Sequence, residues 1–168
     1  MSLIIKDKIA MLMKGFPTVS DKYNIAGGTL AGNTPVQFGE LVKFSGTAGY
    51  FEAITAQVTV DQIAGFVMGT NVKLNELWPE GQVQVNPGEA FNLVLPGSYM
   101  AIEIAADATE ANMAANKKVF VDLTNGKLTT SDKTSATVVE LPGVVFTGTW
   151  EDRGTASAHK YLAEILIK

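Results

Sequence analysis

Glycine, proline and Asn-Gly interrupt the apolar runs of this chain roughly every ten residues between Val58 and Ile167. That spacing accommodates short strands and leaves little room for helices. The clearest stretch is Val83-Gln84-Val85-Asn86-Pro87-Gly88-Glu89-Ala90-Phe91-Asn92-Leu93-Val94-Leu95-Pro96-Gly97-Ser98-Tyr99-Met100-Ala101-Ile102-Glu103-Ile104. Each Pro-Gly marks a turn, and the alternation on either side marks strands. The pattern predicts an all-β fold: a small barrel or sandwich of about ten short antiparallel strands.

The individual runs follow from the same rule. Val36 to Phe44 alternates around Gly39, which predicts a strand bent at a bulge. Phe51 to Val60 alternates again, and Asp61-Gln62 turns into an apolar run over 63–68 that Gly69 stops. A loop carrying Leu74, Leu77 and Trp78 spans 70–82. Strands are expected over 83–86, 90–95 and 99–105, with one or two helical turns in the Ala-rich segment 107–116. Asn125-Gly126 between 118–123 and 127–130 reads as a two-residue type I′ hairpin. Two further strands over 136–141 and 144–149, separated by Pro142-Gly143, precede a polar loop over 150–157. The last strand, 159–167, sets Tyr161, Ala163, Ile165 and Ile167 on one face.

The first thirty residues read differently. Ile5, Ile9, Leu12 and Met13 recur at helical spacing until Gly15-Phe16-Pro17, and 15–35 is turn-rich, which predicts an irregular, extended segment. The expected organisation is therefore an N-terminal arm or short helix over 1–30 and a β-barrel or sandwich domain over 31–168. Phe16, Tyr23, Trp78 and Trp150 fall in the arm and the loops, and are the candidate interface residues.

Charge narrows the function classes. Only 18% of the residues are charged, against about 25% in an ordinary soluble domain. Either other subunits cover part of the apolar surface, or Thr, Ser, Asn and Gly coat the outer strand faces. Between Lys43 and Lys117 the single cation is Lys73, facing eight carboxylates from Glu52 to Glu110. No basic stripe for nucleic acid exists. No segment reaches the roughly 18 apolar residues of a membrane span, and charges at Lys6, Asp7 and Lys8 interrupt any signal core. Synthesis in a cytoplasm without classical export is the expectation.

Catalytic equipment is sparse. There is no Cys and one His, His159, expected on a surface. Zinc is not expected, and Asp122 with Asn125-Gly126 has hairpin rather than calcium-loop spacing. Glu151-Asp152 are adjacent, so their side chains diverge on a strand. No glycine loop opens a helix to cradle phosphate. No catalytic residue, cofactor or metal is assigned. Trp78 and Trp150 with the tyrosines leave a sugar platform open as an alternative to packing.

The order of these signals resembles that of the structural cement, or head decoration, proteins of tailed bacteriophages. The resemblance runs through Phe38-Gly39-Glu40-Leu41-Val42, Ile63 to Met68, Val85 to Val94, Gly97 with the 100–104 strand, Lys118 to Asp122 with Gly126-Lys127, Pro142 to Phe146 and 163–167. It covers roughly residues 30–168. It implies a non-catalytic barrel that binds the major capsid protein on the outer face of the virion, often as a homotrimer, and strengthens the head after DNA packaging. A phage tail-tube or baseplate β domain and a carbohydrate-binding sandwich are the alternatives.

Overall fold

The computed structural model describes residues 14–18, 24–69, 84–155 and 158–168. Among them are twelve strands, three short 3-10 turns and no α-helix. The helix expected up to Met13 and the loop expected over 70–82 lie outside the described residues.

The strands form two closed barrels in sequence order. The first contains β1 (Asn24–Leu30), β3 (Leu41–Phe44), β4 (Tyr50–Ala53), β5 (Ile63–Met68) and β7 (Ala90–Leu95). The second contains β8 (Ser98–Ile104), β9 (Lys118–Asp122), β10 (Leu128–Thr129), β11 (Val138–Asp152) and β12 (Tyr161–Ile167). A two-stranded sheet pairs β2 (Val36–Gln37) with β6 (Gln84–Val85). The all-β barrel architecture is as the spacing predicts, but the expectation of purely antiparallel strands is corrected. A ring of strands alternates direction throughout only when their number is even, so each five-stranded barrel requires a parallel pair. In the first, Thr29 lies opposite Tyr50 in the parallel pair β1–β4. In the second, Leu128 lies opposite Ile104 in β8–β10.

Pro96-Gly97 also acquires a further meaning. It is the turn between two strands that the sequence indicates, but β7 and β8 belong to different barrels and the dipeptide is the link between them. Ser98, fully buried, fixes that link: its Oγ donates to Leu95 O at 2.7 Å and accepts from Asn24 N–H at 2.8 Å.

The barrels share an apolar seam. Val67 and Leu93 point into the first barrel beside Phe51 and Phe91. Their neighbours Phe66, Met68 and Val94 point outward and join the second barrel's core, with Met100, Ile102 and Phe146. Strands covered on both faces must be apolar at consecutive positions, which accounts for Phe66-Val67-Met68 and Leu93-Val94.

Three local expectations change. Residues 24–30 form strand β1 rather than irregular chain, pairing with β7 from Asn24–Leu95 to Thr29–Ala90. Gly28, one of the glycines that suggested a loop, is required by close packing, since a Cβ there would fall 2.5 Å from Cε2 of Phe51, whereas a Cβ on Gly27 would meet no atom within 4 Å. Strand β11 runs through both Pro142-Gly143 and Trp150, where a stop and a loop were expected. It absorbs the irregular residues as register shifts between Glu140 and Val145 and between Phe146 and Trp150. The 118–130 hairpin exists, with Leu128 opposite Val121, but its turn is not type I′. That turn needs positive φ at Asn125, and among the described non-glycine residues only Asn116 has it. Instead Asp122 Oδ1 accepts from Thr124 N–H at 2.9 Å, and Asp122 O accepts from Gly126 N–H at 2.7 Å.

Candidate functional site

Among the described residues, the large apolar side chains left in solvent are Phe44, Tyr50 and Ile25, at 56%, 45% and 42% exposure. Phe44 and Tyr50 bracket the β3–β4 turn, Ser45-Gly46-Thr47-Ala48-Gly49. The turn is held by its own backbone: Ser45 N–H donates to Tyr50 O and Tyr50 N–H to Thr47 O. Thr29 N–H, from β1, donates to Gly49 O at 3.0 Å and ties the tip to the barrel wall. Phe44 shares the parity of buried Val42, so its ring lies at the barrel rim, 5.9 Å from Phe51. The tip is thus a braced hairpin carrying two exposed aromatic rings, a geometry suited to insertion into a partner's apolar pocket. Sequence reading missed Phe44 because it continues the core alternation of β3. The available signal is a pair of aromatics flanking a five-residue turn with two glycines.

A second feature, concave, is lined by residues of both barrels. This cleft, about 480 Å3, is floored by Leu41, Ile54, Ile104 and Leu128 and rimmed by charged side chains including Lys14 and Glu103. Lys14 Nζ donates to Gln37 Oε1 at 2.8 Å and stands 3.4 Å from Glu103 and 3.8 Å from Glu40.

Of the four residues nominated from sequence, two can be placed. Phe16 packs against the first barrel's core, its ring edge-on to Phe38 at 5.8 Å. Trp150 lies on β11 and packs edge-on to Tyr161 at 5.9 Å, against the second barrel's core. The two belong to different clusters and do not meet. Tyr23 and Trp78 lie outside the described residues.

His159 adds to the edge-on Trp150–Tyr161 pair, its ring stacked parallel to Tyr161 at 5.2 Å, and its Nδ1 lies 2.6 Å from Asp152 Oδ2. A His–Asp pair invites a catalytic reading. The other carboxylate oxygen, however, accepts from Gly154 N–H at 2.8 Å and Lys160 N–H at 2.9 Å, which closes the β11–β12 turn. The hydrogen bond from His159, then those from Lys160 and Gly154, hold the Asp152 carboxyl down to about 2. Asp132 has a similar structural office. It accepts from Thr109 Oγ1 at 2.5 Å, Thr130 Oγ1 at 2.6 Å and Asn112 Nδ2 at 3.0 Å, which hold it well below the usual carboxylate range. It binds the 3-10 turn Glu110–Met113 to the turn Ser131–Lys133. Among the described residues no group of three or more metal-ligating side chains converges.

No curated protein matches the chain. A solved structure titled "The capsid of Myoviridae Phage XM1" contains a chain of similar fold, with a TM-score of 0.60 and 16% identity over 96% of this chain and 95% of that one. Residues 8–168 match the family model described as structural cement protein (E217 gp24/Pam3 gp6). With that match spanning both barrels, the chain belongs to the structural cement protein family.

Proposed function

We propose that this chain binds the outer surface of a phage head, contacts the major capsid protein, and stabilises the shell without catalysing a reaction. The single observation that carries this is the family match over residues 8–168. The fold shared with a chain of a phage capsid structure supports it. A protein that binds only the assembled lattice stabilises it by mass action, and a ligand at 100 times its dissociation constant contributes about 2.7 kcal/mol.

The β3–β4 tip is the anchor in this reading, with Phe44 and Tyr50 entering the shell. The braced turn limits the ordering cost of docking. The N-terminal arm contributes a second contact, and the oligomer is a trimer. Within the segment 1–30 read as the arm, residues 14–18 hydrogen-bond to both barrels and Asn24 begins β1. Tyr23 and Trp78 remain proposed contact residues, whereas Phe16 and Trp150 serve packing first. The protein is made in the cytoplasm of the bacterial host and ends on the virion.

Co-sedimentation with mature, DNA-filled heads lacking the protein tests the reading. Saturable pelleting at a fixed ratio to the shell protein is expected. A discrete soluble protein that never pellets with heads would transfer the assignment to a tail component or a glycan-binding module.

A further inference from the structure

We infer that residues 14–18 act as a register pin between the two barrels, a docked strap that fixes how one sits on the other. The inference concerns the isolated chain and is independent of capsid binding.

The strap hydrogen-bonds to both barrels at once. Toward the second barrel, Gly15 N–H donates to Ala101 O at 2.7 Å, Ala101 N–H to Phe16 O at 3.0 Å, and Thr18 N–H to Tyr99 O at 3.2 Å. Pro17 bridges antiparallel to Met100. This half of β8 needs a partner because β10 is two residues long and pairs only at Ile104. Without the strap, the N–H and C=O groups of Tyr99 and Ala101 on that side would form an open strand edge.

Toward the first barrel, Gly69 N–H donates to Gly15 O at 2.7 Å. Phe16 covers Gly69 so closely that any Cβ there would overlap its ring. Lys14 adds an ion pair on each side, to Glu40 of the first barrel's β2–β3 turn and to Glu103 of β8. Residue 15 must be glycine on two counts. Its φ is +79°, and a Cβ would lie 2.5 Å from the carbonyl carbon of Phe38.

The seam explains why a pin is required. Phe66, Met68 and Val94 meet the second barrel through apolar contact, which is non-directional and tolerates sliding. The covalent link is two residues, Pro96-Gly97. The strap adds a set of directional bonds at fixed spacing to the isolated ones that cross the seam, Asn24 N–H to Ser98 Oγ at 2.8 Å and Val58 N–H to Leu123 O at 2.9 Å, so it pins one register of the two barrels.

Gly15→Val tests the inference. The chain has no native cysteine, so Thr47→Cys in the first barrel and Thr134→Cys in the second accept spin labels at exposed sites. With Gly15 present, electron–electron distance measurement should give one narrow distribution; with Gly15→Val it should broaden, while each barrel's strand signature persists. Exchange of the Gly69 and Ala101 amides should accelerate about 100-fold, roughly tenfold for each of two lost backbone bonds. A narrow, unshifted distribution in Gly15→Val with unchanged exchange overturns the pin. Should the variant not fold, native-state exchange of the unaltered chain decides. The Gly69 and Ala101 amides lie in different barrels, and a shared strap requires them to open together at one rate. Two unrelated rates overturn the inference.

Discussion

Phe44→Ala separates binding from folding. The side chain is 56% exposed, so of about 200 Å2 of aromatic surface about 110 Å2 is available to a partner. At about 25 cal/mol/Å2, full burial is worth about 3 kcal/mol. Ordering the side chain on docking costs about 1 kcal/mol, leaving about 2 kcal/mol, or about 30-fold in Kd. The fold loses the burial of the remaining area, about 90 Å2, worth about 2 kcal/mol at the same coefficient, which includes the contact with Phe51 at 5.9 Å. The assay is a pelleting isotherm with heads lacking the protein, alongside a thermal melt of the free variant. The account predicts a Kd raised about 30-fold with a Tm lowered by about 4–8 °C, the variant still folded at the assay temperature. A folded variant that binds within twofold of the original refutes the role given to the tip.

Three further outcomes follow from the packing and the turns. Phe146 is 1% exposed in the shared core, so Phe146→Ala should cost about 3–5 kcal/mol in urea unfolding, and a loss below 1 kcal/mol contradicts the seam as described. Gly28→Val drives a side chain into Phe51 and should cost about 1–3 kcal/mol, and Phe51→Leu in the same chain should restore part of it; additive losses contradict the contact. Asp152, held at about 2 against an ordinary 3.8, favours the folded state above about pH 4, and that contribution disappears as pH falls towards 2. The Tm difference between the original chain and Asp152→Asn should therefore close between pH 4 and pH 2, whereas a difference independent of pH would assign the effect to something other than the charge.

The all-β architecture was legible because alternation and Gly-Pro punctuation are local signals. The interior face of β12, with Tyr161, Ala163, Ile165 and Ile167, came directly from period two. What the local signals left out was the wider meaning of some interruptions. Pro96-Gly97 is the expected turn between two strands but also joins two barrels, Pro142-Gly143 is absorbed inside one fifteen-residue strand, and Gly27-Gly28 belongs to a strand in which Gly28 lies against the Phe51 ring. A turn dipeptide specifies local backbone geometry, whereas the strands it connects are set by pairings distant in sequence. Phe66-Val67-Met68 and Leu93-Val94 carried the missing information, since an apolar run without alternation belongs to a strand covered on both faces. The exposed tip was hidden for the opposite reason: Phe44 keeps the core parity of β3 and leaves the core only because the strand ends there. Phe16 was noticed as an aromatic in a turn-rich segment, but its partner Gly69 lies fifty-three residues on and no local pattern links them.

The most direct test of the cement assignment is the temperature at which DNA-filled heads lacking this protein release their genome, measured as the protein is added back. The account predicts a release temperature that rises with occupancy and saturates at the stoichiometry found by pelleting. Heads that carry the protein at full occupancy yet release DNA at an unchanged temperature would contradict it.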